Sequence, residues 1–217
     1  SGTGYLAGGI GWYRIRIAPK PEWKGKRISV VFDGVYKNSR VWCNSYSLGE
    51  RPNGYISFSY DITEQFHFDR DTVIAVRVDH TDISDSRWFT GSGITRQVRL
   101  VAQEVVHPVY HGVFFTTPQV SAAKADALVH NEITNTLGQP ADVTVTSTLF
   151  SPNGTPVASG SIASTLSAGE TRTLDTAFTV EAPALWSPEA PARYTLQTSL
   201  SYKSGDTSAT SVADVKK

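Results

Sequence analysis

The stretch SDSRWFTGSGITR, residues 84–96, gathers one carboxylate, two guanidinium groups, one indole and two glycines into a short span. The planar fork of an arginine can hold a carboxylate in two parallel hydrogen bonds or lie flat on an aromatic ring. An indole adds a broad apolar face with a single donor. A saccharide presents the complementary surface, with C–H groups to stack on and hydroxyls to hydrogen-bond. Asp85, Arg87 and Trp88 therefore form a plausible saccharide-facing set. Gly91 and Gly93 let the backbone turn where a side chain would clash. The same groups also have a structural use. Arg87 or Arg96 can pair internally with Asp33 or Asp85, and Trp88 can plug the space between sheets. For Trp88 and Arg96 that structural use is favoured.

Other reactive side chains are scattered. Asp82 and Asp85 are three residues apart on a loop, which does not fix two facing carboxyl groups. Glu50, Glu64, Glu104, Glu132, Glu170 and Glu181 read as solvated charges at strand ends and turns. Histidines 67, 80, 107, 111 and 130 show no metal-ligand spacing. No catalytic residue, metal or cofactor is expected in this chain. The single cysteine, Cys43 in RVWCNS, cannot form an intrachain disulfide and is expected to be a small buried apolar residue.

The elements that must position the 84–96 stretch are strands. GWYRIRI alternates large apolar and basic residues, and TVIAVRVDH places Ile74, Val76 and Val78 on one face. ADVTVTSTLF sets Val143, Val145 and Leu149 opposite Thr144, Thr146 and Thr148, and RYTLQTSLSY does the same with Tyr194, Leu196 and Leu200. PNG recurs at 52–54 and 152–154 as a turn signal. Short strands with frequent turns imply antiparallel sandwiches. Composition shifts near residue 105: four of the five tryptophans precede it, and Thr, Ser and Ala dominate after it. The expected domains are 1–105 and 106–217, joined through the segment around Pro108 and Gly112.

Hydrophobic residues make up 40% and charged residues 18%, which suits a globular chain with a core. A formal net charge of zero supplies no electrostatic footprint for nucleic acid. No apolar run is long enough to span a bilayer, and Ser1–Gly4 lack the charged and apolar regions of a signal peptide. Neither nucleic acid nor membrane is expected as a partner. One cysteine leaves the compartment open, with a periplasmic or secreted setting favoured over a cytoplasmic one.

Five segments, GGIGWYR (8–14), the long run FDGVYKNSRVWCNSYSLGERPNGYISFSYDIT (32–63), VIAVRVDH (73–80), SRWFTGSGITRQVRL (86–100) and, just past the domain joint, GVFFTTP (112–118), resemble the non-catalytic front of family 2 glycoside hydrolases. That family includes many β-galactosidases and β-glucuronidases. PALWSPEAPARYTLQTSL (183–200) is similar to a stretch of its immunoglobulin-like domain. The resemblance implies an all-β chain: a jelly-roll, galactose-binding-like β-sandwich, N-terminally truncated, followed by an immunoglobulin-like β-sandwich.

In the family a (β/α)₈ barrel follows and carries both catalytic glutamates. A barrel alone needs about 250 residues, so the chain reads as a non-catalytic N-terminal fragment of a β-galactosidase-like enzyme. Its partners would be that missing barrel and, in the longer enzyme, a carbohydrate of the β-galactoside type. The resemblance also places Asp85 and Arg87 at the tip of a loop that reaches over the barrel mouth. One departure is Asn44-Ser45, where the family usually has Asn-Gly, so either a strained turn at Ser45 or a longer hairpin loop is expected.

Two rival readings remain. A stand-alone carbohydrate-binding module requires Trp12, Trp23 or Trp88 to be exposed in a coplanar row. A purely structural pair of sandwiches requires no site at all. Trp12, Trp23, Trp42 and Trp186 are expected to be packing residues.

Overall fold

The computed structural model describes residues 8–81 and 90–216. Contacts divide the chain into two compact units, Ser1–Ala102 and Gln103–Lys217. Among the described residues the only helix is a single 3₁₀ turn, Pro21–Trp23.

In chain order the strands of the first unit are β1 (Gly9–Ile17), β2 (Arg27–Phe32), β3 (Val35–Tyr36), β4 (Ser39–Cys43), β5 (Tyr46–Arg51), β6 (Phe58–Asp61), β7 (Thr72–His80), β8 (Gly93–Ile94) and β9 (Val98–Gln103). They form a four-stranded sheet in the order β1-β7-β4-β5, a three-stranded sheet β6-β2-β9 and a short pair β3-β8. This is the jelly-roll type of sandwich. Period-2 alternation sets its core: Ile74, Val76 and Val78 point inward from β7 and meet Val41, Cys43, Ile28, Phe32 and Phe58. Cys43 is a free thiol, fully buried, and burial pushes its pKa up to about 11.

The Asn44-Ser45 turn between β4 and β5 corrects the expectation of strain at Ser45. Asn44 takes the left-handed conformation, at φ 54°, and Ser45 does not. Asn tolerates that region better than other residues with a side chain. Its amide is also held on both ends, donating to the Gln65 carbonyl at 2.7 Å and accepting from Val73 N–H at 3.0 Å.

The second unit has longer strands: β10 (Val106–Val120), β11 (Lys124–Asn135), β12 (Ala141–Phe150), β13 (Pro156–Leu166), β14 (Thr171–Glu181), β15 (Thr195–Ser204) and β16 (Thr207–Lys216). Sheets β10-β11-β14 and β13-β12-β15-β16 give the three-plus-four layout of an immunoglobulin-like sandwich. Val143, Val145 and Leu149 face inward from β12 and Leu196 and Leu200 from β15, as the alternation in the sequence requires. Ser147 also points inward from β12 and lies 3.5 Å from the Thr198 hydroxyl.

Candidate functional site

Asp85, Arg87 and Trp88, together with Asp82, lie outside the described residues. What the structure does give is the chain on either side of residues 82–89, the end of β7 through Thr81 and the segment that resumes at Thr90.

The outgoing foot is the end of β7. Asp79 takes Arg77 Nη2 on one carboxylate oxygen at 2.8 Å, and on the other the hydroxyl and the N–H of Thr81 at 2.7 and 3.2 Å. The Thr81 hydroxyl, then the Arg77 guanidinium, hold this carboxyl below the usual carboxylate range. On the returning foot, Ser92 Oγ lies 3.0 Å from His80 Nδ1, which ties the two feet together. Gly93 follows at φ 96°, and a Cβ there would stand 2.0 Å from the Tyr13 hydroxyl. Only glycine satisfies both the dihedral and the close approach.

Beside the feet, β3 pairs with β8 through Val35↔Ile94 and Tyr36↔Gly93. The Tyr36 ring sits 5.1 Å from His80, edge-on, and 5.4 Å from Tyr55. Gly54 makes this possible, since a Cβ there would fall 2.1 Å from Tyr36 Cδ2. Asn53 Oδ1 accepts the N–H groups of Tyr55 and Ile56 at 2.8 and 3.1 Å, fixing the PNG turn that presents Tyr55. Tyr36, Tyr55, His80 and Ser92 therefore form an aromatic and hydrogen-bonding cluster at the base of the loop. Tyr36 is 7% exposed and belongs to the core, so what the cluster presents is the exposed Tyr55 ring with His80 and the Ser92 hydroxyl beside it, an aromatic face and polar tips that suit a polyol. Sequence reasoning missed Tyr36 and Tyr55 here. Their only signal was the close-packed PNG turn and the FDGVY run, which read simply as turn and strand.

The structure separates the arginines. Arg96 directs Nη1 at the carbonyls of Asp33 and Tyr55, at 3.4 and 3.3 Å, so its role is structural. It does not take the Asp33 carboxylate. Arg99 does, in a two-pronged bridge at 2.7 and 2.8 Å. The reason is strand order: β9 runs next to β2, whose end carries Asp33.

Three tryptophans expected to pack in the core or between sheets, Trp12, Trp42 and Trp186, do not, and Trp42 sits half-buried on the outward face of its sheet. Trp12 is 61% exposed, because β1 is the edge of its sheet, and its ring stacks on Trp42 at 5.4 Å between centroids and 26° between planes. Trp186 is 62% exposed in the irregular segment between β14 and β15, outside either sheet. Trp23 does pack, edge-on to Phe66 at 5.8 Å. Of the three tryptophans whose coplanar row a stand-alone binding module requires, Trp12 is exposed and stacked on Trp42, Trp23 is packed, and Trp88 lies outside the described residues.

Residues 6–104 match the model of the glycosyl hydrolases family 2 sugar binding domain, and residues 111–215 match that of glycosyl hydrolases family 2. A β-galactosidase of Bacteroides ovatus is 39% identical over 91% of this chain, and a putative β-glucuronidase of Formosa agariphila is 36% identical over 92%. Among solved structures, a Bacteroides uniformis β-glucuronidase bound covalently to cyclophellitol-6-carboxylate aziridine superposes with a TM-score of 0.87. It is 30% identical, covering 96% of this chain and 26% of its own. A family 2 member from Bacteroides cellulosilyticus gives 0.87 at 33% identity, covering 98% of this chain and 29% of its own. The chain spans 23% and 18% of the length of the two curated relatives. No α-helix occurs among the described residues, so these two sandwiches do not include a (β/α)₈ barrel. With both models matched in order along nearly its whole length, the chain belongs to glycosyl hydrolase family 2 and consists of that family's sugar-binding and immunoglobulin-like domains.

Proposed function

We propose that this chain is the supporting N-terminal part of a retaining β-glycosidase, most like the β-galactosidases, whose two catalytic glutamates stand on a barrel outside these residues. The carrying observation is the match of both non-catalytic domains at about a quarter or less of the length of relatives named β-galactosidase and β-glucuronidase. Retaining hydrolysis needs two carboxyl groups roughly 5–5.5 Å apart on either side of the scissile bond.

Within that enzyme the chain contributes the 82–89 loop. Asp85 and Arg87 at its tip hydrogen-bond the non-reducing sugar, and Trp88 supports them. The bracing by Asp79, Thr81, His80 and Ser92 favours this reading, because a loop that positions a substrate must be held at its feet.

The test compares the 217-residue chain with the longer protein that carries the barrel, using p-nitrophenyl β-galactoside and β-glucuronide. The chain alone is expected to be inactive and the longer protein active. Arg87→Ala in the longer protein should lower kcat/KM roughly 10–100-fold, the worth of one hydrogen bond to a charged group. Turnover by the isolated chain would sink the supporting role. An unchanged kcat/KM in both Asp85→Ala and Arg87→Ala would sink the loop assignment.

A further inference from the structure

The outward face of the sheet β1-β7-β4-β5 carries a constellation of which only Arg77 and Asp79 serve the site described above. Register fixes which side chains share it. Trp12 lies opposite Arg77, which lies opposite Arg40, which lies opposite Glu50. In the next outward row Arg14 lies opposite Ala75, and Ala75 opposite Trp42. Arg16 follows, opposite Val73, and Ile10 precedes, opposite Asp79. The inward residues of β7 are Ile74, Val76 and Val78, so all of these partners point away from the core.

Trp12 and Trp42 belong to strands on either side of β7, yet their rings stack. Ala75, only 8% exposed despite its outward position, is the small residue between the two strands that lets the rings meet above it. One flank of Trp12 is taken by Trp42, and 61% of the residue is open to solvent. The charge on this face is unbalanced. Glu50 is occupied by Arg40 at 2.8 Å and Asp79 by Arg77 at 2.8 Å. Arg14 and Arg16, both exposed, form no ion pair among the described residues. Successive outward positions on a strand are about 6.8 Å apart, so Trp12, Arg14 and Arg16 make a row of about 14 Å. That length takes several pyranose rings, not one.

We propose that this face is a second saccharide surface, separate from the loop cluster, which binds an extended glycan bearing carboxylates. A pyranose stacks on the open face of Trp12, and the uronate groups of the same chain pair with Arg14 and Arg16. Two unpaired guanidinium groups beside an indole match that chemistry, since arginine holds a carboxylate in two parallel bonds and a sugar ring covers an aromatic face. A neutral glycan would leave both arginines unused. The surface would hold the polymer near the enzyme without taking part in bond cleavage.

The test titrates the 217-residue chain with a galacturonate hexamer, its methyl ester and a neutral galactan hexamer, following tryptophan fluorescence and calorimetry. The acid is expected to bind, the ester and the galactan roughly tenfold more weakly, and salt should weaken the acid alone. Trp12→Ala should weaken the acid by roughly tenfold, at the upper end of an aromatic contact. Arg14→Ala with Arg16→Ala should bring the acid down to the level of the ester. These are exposed positions, and circular dichroism checks that each variant is folded. Equal binding of acid and ester, no binding of either, or a preference for dextran sulfate would overturn the carboxylate assignment. So would a dimer that Trp12→Ala dissolves while glycan binding stays absent. Arg87→Ala should leave this titration unchanged, so failure here leaves the loop reading standing.

Discussion

The two units close two sheets over a core with opposite choices of side chain. The first buries Phe32, Tyr36, Phe58, Tyr60 and Phe66 behind strands of two to nine residues. The second has strands of 10 to 15 residues, and Tyr202 is its one buried aromatic among the described residues. Its core is mainly valine, leucine and alanine with Ile133, interleaved with buried Asn131, Asn135, Ser147, Thr176, Thr198 and Ser204. Charge divides as well. The first unit has 14 Lys and Arg against 10 Asp and Glu, the second 6 against 10. A few large rings supply much buried area from short strands, which leaves more of the chain for loops that present chemistry. Long ladders hold with small residues, and their hairpins carry nothing comparable to the Tyr36, Tyr55 and His80 cluster.

If aromatic burial is what holds the first unit, Phe32→Ala should be the most damaging single change. Phe32 is 1% exposed and stacks on Phe58 at 5.0 Å, and its truncation should cost about 3–5 kcal/mol in urea unfolding. A loss no larger than that from Val129→Ala would break the comparison.

The second unit should also be sensitive at a polar position. Asn135 donates to the carbonyls of Gln139 and Ser167, each at 3.0 Å, and accepts from Leu137 N–H at 3.0 Å. Asn135→Ala leaves these backbone groups without partners, so about 1–3 kcal/mol should be lost by the same measurement.

A smaller effect sharpens the contrast. The Tyr60 hydroxyl is buried without a hydrogen-bond partner among the described residues, and burial raises its pKa. Tyr60→Phe removes an unsatisfied group from the aromatic core. The thermal midpoint should stay level or rise, by up to about 1 kcal/mol in stability. A clear destabilisation would show that the hydroxyl has a partner.

The finest effect is local and pH-dependent. The Asp79 carboxyl is held below its ordinary value, so its contribution is complete above the unfolded pKa of about 4 and is lost as pH falls through the lower folded value. The Thr81 amide should keep its NMR shift at neutral pH and move only below about pH 4. Asp79→Asn should abolish that movement. A movement that survives in Asp79→Asn would mean that another group governs this amide.

Some of this molecule is local in origin and can be read from the chain itself. The inward set Ile74, Val76 and Val78, and the alternation of Val143 and Val145 with Thr144 and Thr146, follow from a period of two. The burial of Cys43 follows from its place in an apolar strand. The family follows from segments whose order and spacing recur.

Partner choice is not local. Arg99 rather than Arg96 holds Asp33, 66 residues away, because β9 lies beside β2. Trp12 is exposed because β1 is an edge, and it meets Trp42 because both strands flank β7 over a small Ala75. Tyr36, Tyr55 and His80 converge although nothing in their spacing announces it. Alternation says which way a side chain points, and turn residues say where the chain reverses. Which strands become neighbours is set by the burial of whole sheets, and only that decides which side chains meet.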